Sequence, residues 1–317
     1  MYNRIMNTKE SPQSQRQANN SKDQLLEKKK GLSEVETESN ISERFSKIKW
    51  EMKLPEALMD RFKLLERHSL INDYSEMVSN GAGNILTEIY KDKGIEIPEW
   101  KLLITKLAAL IHDIGKSGPA GATPEQQLAV VKLYAVESMG IAEKSIKSIV
   151  AETFEDADQM ILRLKECGVD VSLPMSAFWD MHITWGYDIL KEYKDALPLE
   201  AITIAGMHHA YKGLNSRTYN PLIDGIPEVE IPSTDMMERA SLLGILEEYL
   251  LVVVFDNYEA FVHRGGLKPK DAIEGVRSKI PKEFSTKYPL INEILDKMEK
   301  MDDAEIAKIF EERKKES

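Results

Sequence analysis

From Trp50 onward the apolar residues of this chain recur at helical spacing, and that period restricts the fold more than any other feature. Leu58, Phe62, Leu65 and His68 stand at i, i+4, i+7 and i+10, the spacing of one helix face. Leu103, Leu107, Leu110, Ile111 and Ile114 repeat the pattern. The stretch TPEQQ at 123–127 reads as a helix start, with Thr123 as N-cap, Pro124 in the first turn and Gln126 positioned to close a capping box. Further helices are predicted over 127–140, 143–166, 176–194, 199–210 and 234–261. The apolar–polar alternation of a half-buried strand is absent, and so is any internal repeat. The expected fold class is an all-α helical bundle.

Residues 1–47 depart from this pattern. They are rich in Gln, Asn, Ser, Lys and Glu and nearly empty of large apolar side chains, so burial cannot offset the entropy of ordering them. They read as a disordered N-terminal arm, which leaves 48–317 as the helical domain. The chain carries 42 Lys+Arg against 53 Asp+Glu, a net charge of −11, with a pI near 5.2. That balance excludes a general grip on nucleic-acid polymers or anionic membranes and leaves room for a small phosphorylated ligand in a local basic pocket. The run YLLVVVFD at 249–256 is too short to span a bilayer and reads as a buried helix. No apolar run of signal-peptide length opens the chain, and Cys167 stands alone without a CxxC pair, which points to the cytoplasm and excludes a thiolate zinc cluster.

The histidines carry the chemistry. Of six, five fall on patterns that otherwise point inward: His68 ends the first stripe, His112 follows AALI, His182 continues Phe178, Trp185 and Ile189, and His208 and His209 close AITIAGMHH. Asp256 sits in the stripe of Tyr249, Val253 and Ala260. Ionisable groups on apolar faces are costly unless paired, hydrogen-bonded or bound to metal. One such histidine is ordinarily a hydrogen-bonded core residue; five of them with two aspartates suit a polynuclear metal site. In the pair His112-Asp113 the imidazole can take one cation while the carboxylate, with two oxygens, bridges two. A donor set of imidazole and carboxylate without thiolate fits first-row ions such as iron, manganese or zinc. Lys116, four residues after His112 and so on the same helical face, is placed to clamp a phosphate.

The ordered set His68, His112-Asp113, His182, His208-His209 and Asp256 resembles the HD superfamily of metal-dependent phosphohydrolases, and within it the HD-GYP branch, which hydrolyses cyclic di-GMP. HDIGK at 112–116 with Pro119, MHITWGYDIL at 181–190 and FDNYEAFVHRGG at 255–266 are similar to the branch's motifs, over roughly residues 60–280. The resemblance implies an HD-domain bundle whose seven ligands hold two divalent ions, iron or manganese, sharing Asp113. A hydroxide between the metals would attack a cyclic dinucleotide, cyclic di-GMP first among candidates, with Lys116 and Arg264 on the phosphates.

Departures from the branch are visible. Ala210 follows the paired histidines where the branch has Glu, and YKGLNSRTYNP at 211–221 replaces the GYP loop, with Arg217 and Tyr219 as candidate substrate contacts. Residues 118–175 are longer than the resemblance accounts for and read as a helical lid insertion. Leu64 stands where some members place a glutamate for a third cation, so two metals are expected. A di-iron HD oxygenase, or a metal-binding signalling module with little catalytic activity, would use the same ligands.

Overall fold

In the computed structural model, which describes residues 54–68, 71–136, 140–212, 240 and 244–311, every regular element is helical and no strand is present among the described residues. The all-α class therefore holds. The arm expected at 1–47 lies outside the described residues. The helices are α1 (Glu56–His68), α2 (Ile71–Asp92), α3 (Glu99–Ile111), α4 (Pro124–Tyr134), α5 (Ile146–Thr153), α6 (Ala157–Glu166), α7 (Met175–Lys191), α8 (Leu199–Met207), α9 (Leu246–Glu259), α10 (Pro269–Lys279), α11 (Lys282–Lys287), α12 (Leu290–Lys300) and α13 (Asp303–Ile309). None of them is long and apolar enough to cross a membrane.

The core lies where α3 packs between α2, α8 and α9, with α7 against α8. Helix α9 explains the run YLLVVVFD: every residue from Glu248 to Glu259 is buried, so the helix is enclosed on all its faces and its apolar middle needs no amphipathic pattern. Helix α4 starts as the sequence predicts. Thr123 Oγ1 accepts the Gln126 amide, Gln126 Oε1 accepts the Thr123 amide at 2.8 Å, and Pro124 occupies the first turn.

The single helix expected over 143–166 is instead two, α5 and α6. A straight helix of that span would run about 36 Å and carry the chain away from the body. Here the two ends of the excursion are tied together: Ile146 N donates to Leu173 O, Met175 N donates to Lys144 O, and Ser145 bridges Pro174. The chain must reverse, and it does so at Phe154, whose extended backbone ends α5. Helices α5 and α6 pack on each other, and α6 on α4.

Two local devices set the segment that follows α3. Residues Ile114–Ser117 form a 3-10 turn that packs against α7, α1 and α4. A Cβ on Gly115 would stand 1.8 Å from His182 O and 2.4 Å from Gly186 N, so the two backbones cross at a distance only glycine permits. On the other side the buried Arg61 guanidinium donates to Ser117 Oγ at 2.9 Å and to the carbonyls of Gly118, Pro119 and Ala120. The turn is thus held between a backbone crossing and a five-donor fork.

Candidate metal centre

Four elements deliver the site. Helix α3 ends at Ile111 and presents His112 and Asp113 just beyond; α8 ends at Met207 and presents His208 and His209 in the same way. His182 comes from the middle of α7 and Asp256 from the third turn of α9. Two helix C-termini, the negative ends of their dipoles, therefore converge on one spot, which favours a cation there.

The six side chains form a ring of close approaches. Asp113 Oδ2 lies 3.4 Å from His112 Nε2, and its Oδ1 lies 3.3 Å from His182 Nε2. Asp256 Oδ1 lies 3.6 Å from His112 Nε2, and its Oδ2 lies 3.4 Å from His209 Nε2. His182 Nε2 and His208 Nε2 are 3.2 Å apart. Each carboxylate thus spans two imidazoles. Two ligand groups have all their donor atoms within 4.8 Å of one another: His182, His208 and His209, and His112, Asp113 and His208.

Ring orientation is set by the backbone. His112 Nδ1 meets Ala109 O at 2.6 Å, His208 Nδ1 meets Ala205 O at 2.6 Å, and His182 Nδ1 meets Trp179 O. In each case the partner is the carbonyl three residues earlier, and a carbonyl only accepts. Nδ1 must carry the proton, so in the neutral ring Nε2 is a bare lone pair aimed at the cluster. This is the arrangement that fixes a metal-binding imidazole.

Burial and neighbouring charge act on the site in opposite senses. Burial pushes His182 down to about 3, more than Asp113 raises it, and pushes His208 well below the usual imidazole value, helped by the other histidines. For His112 burial is outweighed by the carboxylates of Asp113 and Asp256, and its pKa rises. Asp113 and Asp256 stay well below the ordinary carboxylate value despite burial: His112, Lys116 and His182 hold the first, and the neighbouring His112 and His209 rings hold the second. The cluster sets two carboxylates among four histidine rings, with Lys116 beside Asp113.

Of the residues named from sequence, His112, Asp113, His182, His208, His209 and Asp256 are brought together. Lys116 joins them, with a correction: α3 has ended before it, so it shares no helical face with His112. It is buried on the 3-10 turn and donates to Asp113 Oδ2 at 2.5 Å. His68 is not brought in. Leu58, Phe62 and Leu65 are buried, but at the last residue of α1 the face has rotated outward, and His68 is exposed. Partial burial, then Lys132 and Arg67, lower its pKa. Arg264 lies on the π-turn Ala260–Arg264, with its side chain outside the described residues; Arg217 and Tyr219 are outside them altogether.

Sequence reasoning missed several supports. Tyr211 OH donates to Asn257 Oδ1 at 2.8 Å, and Asn257 donates to Val253 O, which braces the turn after His209 against the helix of Asp256. Asp180 Oδ1 lies 3.9 Å from His209 Nδ1. Tyr134 of α4 packs edge-on to His182. Apart from the Asn257–Val253 bond within α9, these contacts join segments that only the tertiary fold brings together. Comparison with protein-family models, with curated proteins and with solved structures gives no match for this chain.

Proposed function

We propose that the ring is a binuclear metal centre and that the protein is a metal-dependent phosphodiesterase acting on a cyclic dinucleotide, with cyclic di-GMP the first candidate. One observation carries the metal reading. His182 and His208 point Nε2 lone pairs at each other across 3.2 Å while their Nδ1 protons are committed to carbonyls. Without a cation between or beside them this contact is repulsive, and burial disfavours a proton as that cation.

The donor set fits the group. Four imidazoles and two carboxylates without thiolate suit iron or manganese. Two such ions would supply an activated water at neutral pH and offset charge on phosphoryl oxygens. Asp113 and Asp256 each have oxygens toward two imidazoles, so either can lie between two cations. Lys116 holds a proton-bearing nitrogen beside Asp113, where it can meet a phosphoryl oxygen without being a ligand. The substrate class rests on the order of the HD motifs. The same proposal places the protein in the cytoplasm, a reducing compartment that suits its single free thiol, Cys167.

Protein purified under low oxygen and loaded with Mn(II) or Fe(II) tests this directly against a panel of cyclic dinucleotides. The expected result is two metals per chain and conversion of cyclic di-GMP to a linear dinucleotide or GMP. Oxygen uptake without hydrolysis would move the assignment to a di-iron oxygenase, and metal binding with neither activity to a signalling module.

A further inference from the structure

We infer that Tyr134 is a positioning residue of the metal centre, and that through it α4 builds one wall of the site. Three contacts carry this. Tyr134 OH donates to Phe178 O at 2.8 Å. Its ring stacks on Phe178 at 4.4 Å between centroids and meets His182 edge-on at 6.2 Å and 84°. The side chain is 3 % exposed.

Phe178 O is the carbonyl that the His182 amide engages in regular helix geometry. The next carbonyl, Trp179 O, takes the His182 imidazole. Tyr134 therefore acts on the same helical turn that holds His182, from the hydroxyl end on the backbone and from the ring edge on the imidazole. Burial, then the Asp113 charge, keep the phenol protonated and so a donor. None of the sequence motifs contains Tyr134; it arrives on α4, whose start is fixed by the Thr123 capping box. The neighbouring turn is tied to α1 by Arg61.

The inference rests on the reading that the cluster binds metal, and the test separates the two. Wild type, Tyr134→Phe and Tyr134→Leu are titrated as full-length protein with Mn(II) and Co(II) against a competing chelator, and the metal-free melting of each is recorded. A residue that supports a ligand from behind costs about tenfold or more in metal affinity when altered. Tyr134→Phe is expected to lose about tenfold, with melting nearly unchanged because the His182 amide still satisfies Phe178 O, and Tyr134→Leu to lose more. In the Co(II) protein one exchangeable imidazole N–H resonance should shift in Tyr134→Phe, the one absent from His182→Gln. If wild type binds metal and Tyr134→Phe matches it in affinity and spectrum, Tyr134 is structural only and the inference falls. If wild type binds neither ion, the metal reading falls and takes this with it.

Discussion

His182 and His208 approach through the same atom, Nε2, at 3.2 Å, although each ring already donates its Nδ1 proton to the carbonyl three residues earlier. Two acceptors face each other in a site that burial makes hostile to protons. Metal binding should therefore stabilise the fold strongly. At a hundredfold excess over Kd the gain is about 2.7 kcal/mol, read as a rise in Tm of several degrees that chelation reverses. An unchanged melting curve across Mn(II), Fe(II) and Co(II) would refute the centre.

Acid should unfold the metal-free protein earlier than its carboxylates alone would require. His182 is pushed from 6.5 to about 3, and His208 is also lowered, so between those values the unfolded chain binds more protons than the folded one. Stability then falls as pH drops from about 6.5 toward 3, by on the order of a few kcal/mol. His112 works the other way: its raised pKa contributes stability below 6.5 that is lost as pH rises through its folded value. The His112 window lies above 6.5, so it does not offset the acid-side loss. Denaturant melts at pH 7, 6 and 5 measure it, and His182→Gln should flatten the slope.

Gly115→Ala tests the backbone crossing. The added Cβ would meet His182 O at 1.8 Å and Gly186 N at 2.4 Å, and no rotamer relieves a clash with backbone. The 3-10 turn must move off α7, which separates Asp113 from His182. A loss of roughly 3 kcal/mol or more in folding stability is expected, together with weakened metal binding. Wild-type stability in this variant would mean that the crossing is looser than described.

Much of this was legible in the sequence, for a physical reason. Helical period is local, so the stripes, the Thr123 box and the inward placing of His112, His182, His208 and Asp256 could be read directly. What failed was register at an end or a reversal. His68 continues the stripe arithmetic but sits where α1 stops, and Phe154 breaks a helix because the flanking segments must meet. Asp256 as a second carboxylate between two imidazoles, Tyr134 of α4 against α7 and Arg61 against the turn after α3 all join residues far apart in the chain, which no period records.

Asp113→Asn should uncouple the site. The carboxamide keeps the shape but removes the charge facing His112, His182 and Lys116, and it leaves the buried Lys116 ammonium without its anion. Breaking a buried pair from one side costs about 3–5 kcal/mol, so the metal-free variant should melt lower than wild type. Metal stoichiometry should fall below two, and hydrolysis should nearly vanish. Retention of both ions with full turnover would show that Asp256 alone suffices as the shared carboxylate.

Lys116→Met separates a ligand's support from a substrate's contact. The ammonium lies 2.5 Å from Asp113 Oδ2, so in the absence of metal it is a competing cation on an oxygen that a divalent ion would use. Replacing it with an uncharged chain of similar length removes that competitor, and Mn(II) affinity should match or exceed wild type. His208→Ala, which removes an Nε2 common to both donor groups, should lose affinity by a large factor in the same titration. Turnover of a cyclic dinucleotide in Lys116→Met should nonetheless fall about 100-fold, the usual effect of losing one preorganised donor to developing negative charge. Weaker metal binding in parallel with lost turnover would instead make Lys116 a prop for Asp113, with no direct part in holding phosphate.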